Sequence, residues 1–106
     1  MCNCKVEFLE ETQGKEVLCA DISFGSDYWD NDRKKHALLT VGFDDKAFAL
    51  FLAAIDYDYD AGFGGQEVFG IIWYKDGTWS ERGEYDGSEW WEYKKMPEIP
   101  DTLTSI

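Results

Sequence analysis

The stretch from Val68 to Lys95 constrains the fold more than any other part of the chain. It holds three runs of strand-forming residues, Val68–Tyr74, Thr78–Tyr85 and Glu89–Lys95, separated by Asp76-Gly77 and Asp86-Gly87. An Asp-Gly pair between such runs signals a hairpin, because type I′ turns need positive φ at both central residues. Pro97 and Pro100 follow, and proline cannot extend a paired strand. The pattern predicts a three-stranded antiparallel meander.

Upstream, Lys5–Glu11 alternates Val6 and Phe8 with Lys5 and Glu7 and reads as a first strand. Thr12–Lys15 reads as a turn, Val17–Phe24 as a second strand and Ala37–Phe43 as a third. Between them, Gly25–Lys35 is a polar loop in which Tyr28 and Trp29 stand out. One helix follows. Asp44 or Asp45 can cap it, and Phe48, Phe51, Leu52 and Ile55 fall on one helical face. The expected fold is α+β: a mostly antiparallel sheet of five to six strands, one amphipathic helix on one face, and the C-terminal meander. With 106 residues, positions 1–106 form a single domain.

Charge bounds the partners. Twenty-two acids against ten Lys and Arg give −12. Such a surface repels phosphate backbones and anionic lipid, so the expectation is no direct nucleic acid and no membrane, but a basic protein surface. No apolar run reaches the roughly 20 residues that span a bilayer. Met1–Lys5 lacks the apolar core of a signal peptide, and three cysteines without framework spacing read as reduced thiols. A cytoplasmic location is expected.

The meander is the predicted binding surface. Successive strand residues point to opposite faces, so Trp90 and Trp91 cannot share one core, nor can Trp73 and Tyr74. Trp79 and Tyr85 lie on one face of their strand, with Ser80, Arg82 and Glu84 opposite. If a helix covers one side, large rings must sit on the other, unless the Gly25–Lys35 loop, the tail or a second copy in a homodimer covers them. The candidate partner-binding residues are Trp79, Glu81, Glu84, Tyr85, Asp86, Glu89, Trp90, Trp91 and Glu92. Carboxylates two apart on a strand are ~6.7 Å apart, against one phosphate per ~3.4 Å along a DNA strand, so two adjacent strands approach that density.

Asp56, Asp58, Asp60 and Glu67 occupy positions one, three, five and twelve of an EF-hand-like loop that follows a helix. Hard oxygen ligands at that spacing can wrap calcium. Ala61 stands where the turn wants glycine, and a strand follows in place of a second helix. Cys2, Cys4, Cys19 and His36 make a weaker Cys₃His zinc set. One histidine, no nucleophile elbow and no Cys–His signature predict that the chain is not an enzyme and has no cofactor beyond a calcium ion.

Residues 72–100, with their Asp-Gly-Thr-Trp turn and Gly-Glu-Tyr-Asp-Gly-Ser-Glu-Trp-Trp segment, resemble the C-terminal part of small acidic bacteriophage proteins. Such proteins include inhibitors of host defence, anti-CRISPR proteins among them. The resemblance implies a nucleic-acid mimic that occupies the basic groove of a host nuclease or CRISPR effector complex. It assigns no individual residue. A calcium-binding domain and a structural virion or assembly protein are the alternative expectations.

Overall fold

The computed structural model describes residues 2–24, 35–59, 66–85 and 88–97. The fold is α+β. In chain order the elements are β1 (Cys2–Asn3), α1 (Cys4–Thr12), β2 (Val17–Phe24), β3 (Lys35–Leu39), α2 (Asp45–Ala54), β4 (Asp58–Tyr59), β5 (Val68–Tyr74), β6 (Trp79–Tyr85) and β7 (Ser88–Lys94). Five strands form one sheet in the order β3-β2-β5-β6-β7, every neighbouring pair antiparallel. β1 and β4 pair separately. No described helix is long and apolar enough to cross a membrane.

The expected first strand is instead α1. Asn3 caps it, its side-chain oxygen accepting from the Val6 N–H at 2.9 Å. Cys4 and Phe8, one helical turn apart, are fully buried, whereas Val6 and Leu9 face water. The Val6/Phe8 alternation spanned too few residues to separate a strand from a helix whose buried pair is i, i+4. The expected helix is α2, capped by Asp44, which accepts from Ala47 N–H at 2.8 Å. Phe51 and Ile55 are buried, and Phe48 and Leu52 are half-buried.

Both helices lie on the same side of the sheet. Phe8 of α1 meets Phe51 of α2 edge-on, ring centroids 5.2 Å apart. Against them pack Ala20, Ile22, Phe24, Ala37, Leu39, Val68, Ile72 and Tyr74, the inward residues of β2, β3 and β5. Each fully buried Ile or Phe contributes about 1.5–3 kcal/mol. Gly70, opposite Ile22, is where β5 crowds β2. A Cβ there would lie 2.2 Å from the Asp21 carbonyl oxygen.

The meander is present as expected, with one change at its first turn. Tyr74 N–H donates to the Thr78 carbonyl at 2.9 Å, so three residues, Lys75–Gly77, form the loop. Gly77 takes φ +91°, and Asp76 accepts from Thr78 N–H at 2.9 Å. A three-residue loop with its glycine in the left-handed region is the next commonest hairpin after the two-residue type. The β6–β7 register brings Tyr85 opposite Ser88. Asp86-Gly87 and most of the Gly25–Lys35 loop lie outside the described residues.

Candidate functional site

Strand alternation sends the second set of side chains to the outer face, away from both helices. Cross-strand register arranges them in rows. Cys19, Trp73, Trp79 and Lys94 form one row, and Leu38, Asp21, Ile71, Glu81 and Glu92 the next. Beyond these, Trp90 sits opposite Gly83. Trp73 and Trp90 are 39% and 38% exposed, Tyr85 is 77% exposed, and Trp79 is half-buried.

Two of the indoles on this face, Trp79 and Trp90, are each held by a carboxylate two residues along the same strand. Trp79 Nε1 donates to Glu81 Oε1 at 3.0 Å, and Trp90 Nε1 to Glu92 Oε1 at 2.9 Å. Glu81 and Glu92 stand directly opposite one another, a like-charge pairing that alone destabilises a sheet. Lys94 Nζ relieves it, 3.2 Å from Glu81 and 3.7 Å from Glu92. The Trp79 N–H and then the Lys94 ammonium hold the Glu81 carboxyl below its ordinary range. Trp90 also needs Gly83, where an added Cβ would come within 2.9 Å of its ring nitrogen. The indole thus lies flat across the neighbouring strand, a pre-ordered ring rather than a loose one.

Glu81, Tyr85, Trp79, Trp90 and Glu92 all take part in this face. Glu84 is exposed but alternates to the other side of β6. Asp86 lies outside the described residues. Trp91 turns inward, half-buried, and Glu89 is removed from the predicted surface altogether: its side chain is fully buried. Its oxygens accept from Glu67 N–H (2.7 Å), Val68 N–H (3.0 Å), and Arg82 Nε (3.1 Å) and Nη2 (2.8 Å). Trp73, which strand alternation sets against Tyr74, is not among the candidate residues and lies on this face. Its signal was available, since Ile72 and Tyr74 on either side belong to the core.

The inward face of β6 therefore carries the polar set, not the aromatic one. Ser80 is buried and donates to Glu11 of α1 at 2.6 Å, while sharing a bond with the Tyr74 hydroxyl at 2.7 Å. Arg82, its side chain 1% exposed, donates to the Tyr59 hydroxyl, which in turn donates to Glu7. The guanidinium lies over the Trp91 ring, 5.3 Å from its centroid. Burial works against its charge, but the Glu89 bond and the Tyr59, Glu7 and Glu89 charges outweigh that, so Arg82 stays protonated. Two donors in this cluster, Arg82 Nη1 and Trp91 Nε1, are buried without a protein partner.

Burial makes several of these groups reluctant to ionise. It pushes the Cys4 thiol from 9.0 up to about 12, the Arg82 charge opposing. It also pushes the Tyr74 hydroxyl from 10.0 up to about 12, the Ser80 bond opposing, and raises Tyr59 with help from the Glu7 bond. These are acids whose folded state keeps a proton that the unfolded chain gives up. Their contribution is therefore complete below the ordinary thiol value of 9.0 and is lost as pH climbs toward 12. Each such group steepens the loss by about 1.4 kcal/mol per pH unit within its window. Melting temperature is expected to hold steady up to pH 9 and to fall steeply above it. A series of thermal melts checks this, and an unchanged midpoint at pH 11 would refute it.

The expected metal sets are only partly assembled. Asp56 and Asp58 converge, both accepting from the Asn3 side-chain amide at 2.9 and 2.7 Å. Glu67 instead accepts from the Tyr57 hydroxyl at 3.3 Å, and Asp60 lies outside the described residues. Asp58 and Tyr59 belong to β4, paired with β1, so the expected wrapping loop contains a strand at its third and fourth positions. For the zinc set, Cys4, the first residue of α1, is in the core. Cys19 is on the outer face opposite Trp73, and His36 bonds to Asp21. Among the described residues no group of three or more His, Cys, Asp or Glu side chains is placed to hold a metal ion.

Compared with known proteins, this chain matches no protein family, no curated protein and no solved structure, so its function has to be argued from the geometry of the outer face and the buried cluster.

Proposed function

We propose that this chain is an acidic binding protein that docks the outer face of its sheet on a basic protein surface. One observation carries the reading. No described element covers that face, and Trp73, Trp79 and Trp90 stand on it beside Glu81, Glu92 and Asp21. Rigid, partly exposed rings are the usual energetic anchors of an interface, and charged neighbours set its rate and selectivity. The net charge of −12 steers such a molecule toward a positive partner. The polar groups that converge most closely, Arg82 and Glu89, are sealed inside, which suits a structural role better than turnover.

A basic surface that binds a nucleic acid would be blocked by this docking. The bacteriophage resemblance of residues 72–100 points to a host nuclease or CRISPR effector complex as the partner. Capture from a host lysate on the immobilised chain tests this. The captured polypeptide is expected to be basic and to release as salt rises. Trp73→Ala and Trp90→Ala, at partly exposed positions, should each weaken capture about 30-fold or more, the effect of losing an interface anchor. Retention indifferent to salt and to both substitutions would reject the reading.

A further inference from the structure

Among the described residues the five-stranded sheet ends in two unlike edges. The β7 edge carries Glu92 and Lys94, their side chains 41% exposed. The β3 edge has Lys35 and His36 at its start and then only Ala37-Leu38-Leu39, and it pairs with β2 alone. An open strand edge is a template for another strand, and charge is the common means of blunting it. β3 lacks that protection over most of its length.

The helix layer stops at the same border. A cleft of about 370 Å³ runs between β3 and α2, lined by His36, Leu38, Ala47, Leu50, Phe51 and Ala54 among others. Ala47, Leu50 and Ala54 follow one helical stripe. Leu38 is 59% and Leu50 63% exposed, and Val41, just past the strand, is 66% exposed. No Asp or Glu lines the cleft, although 22 of the 106 residues are acids.

We propose that this border is the contact between two copies of the chain, β3 against β3 and α2 against α2 about a two-fold axis. A two-fold contact needs a surface complementary to itself. An antiparallel strand edge is its own complement, and so is a stripe of Ala and Leu. At −12 per chain, a two-fold contact on an acidic surface would set carboxylates against their own images, whereas the lining of this cleft contributes none. Five paired residues are too few alone, because a stable contact covers about 800 Å² per partner. The helix stripe and the exposed Leu38 and Leu50 enlarge the contact beyond the strand. The pairing joins the two sheets into one and places two copies of the outer aromatic face side by side. It does not depend on the partner proposed above.

Sedimentation equilibrium of the full chain tests the proposal. Twice the chain mass is expected at micromolar concentration and above. Leu50→Lys, at an exposed position outside the core, should return the mass to that of one chain without altering the circular dichroism, and Leu38→Lys should do the same. Trp90→Ala, on the outer face, should leave the dimer intact. A wild-type chain of single mass, a dimer that survives both lysine substitutions, or a dimer dissolved by Trp90→Ala would each overturn it.

Discussion

Glu89→Ala is expected to destabilise the fold by about 3–5 kcal/mol, the cost of removing one member of a buried ion pair and leaving the other charged. The Glu89 carboxylate accepts four hydrogen bonds, two from the Arg82 guanidinium and two from the backbone N–H groups of Glu67 and Val68. Its loss strands a cation whose side chain is 1% exposed, and it orphans two amides at the start of β5. Arg82 would keep only the Tyr59 hydroxyl and Glu7, 3.5 Å from its Nη2, and its Nη1 already lacks a protein partner. Denaturant unfolding measures the loss. A companion variant separates the charge from the packing: Arg82→Met with Glu89→Leu removes both charges, and such apolar replacements of a buried pair are often neutral or stabilising. If Glu89→Ala costs less than about 1 kcal/mol, Arg82 is not the stranded charge described here.

Gly70→Ala is expected to cost about 2–6 kcal/mol, combining backbone strain with overpacking. The residue has φ +150°, in the region that L side chains avoid. The new methyl would meet the Asp21 carbonyl oxygen at 2.2 Å and the Ile22 Cα at 2.9 Å, both backbone atoms that cannot rotate away. Relief requires β5 to move off β2, and that pairing runs from Val17 to Phe24 through the centre of the sheet. Disruption there would also tilt Trp73 and Ile71 on the outer face. A thermal melt indistinguishable from wild type would show that β2 and β5 are not so close.

α2 and the meander were legible because their signals are local. Asp44 caps, the Phe48/Phe51/Leu52/Ile55 spacing is helical, and Asp76-Gly77 turns, whatever the rest of the chain does. The parity within β6 was equally plain: Trp79, Glu81 and Tyr85 on one side, Ser80, Arg82 and Glu84 on the other. Parity does not say which side meets water. Over β6 the polar side turns inward because α1 lies there with Glu7 and Glu11, whose carboxylates receive Arg82 and Ser80. α1 was itself misjudged as a strand, so the polar interior it demands was invisible.

Composition and short-range pattern thus settled the class of fold, the meander, the long helix and the acidity of the surface, since each depends on neighbours in sequence. The assignment of Glu89 to an ion pair, and of Trp73 and Trp90 to the open face, waited on contacts between residues far apart in the chain. Arg82 and Glu7 are 75 positions apart along it. Whether a charge is solvated or buried depends on what packs above it, and a strand's own residues do not encode that.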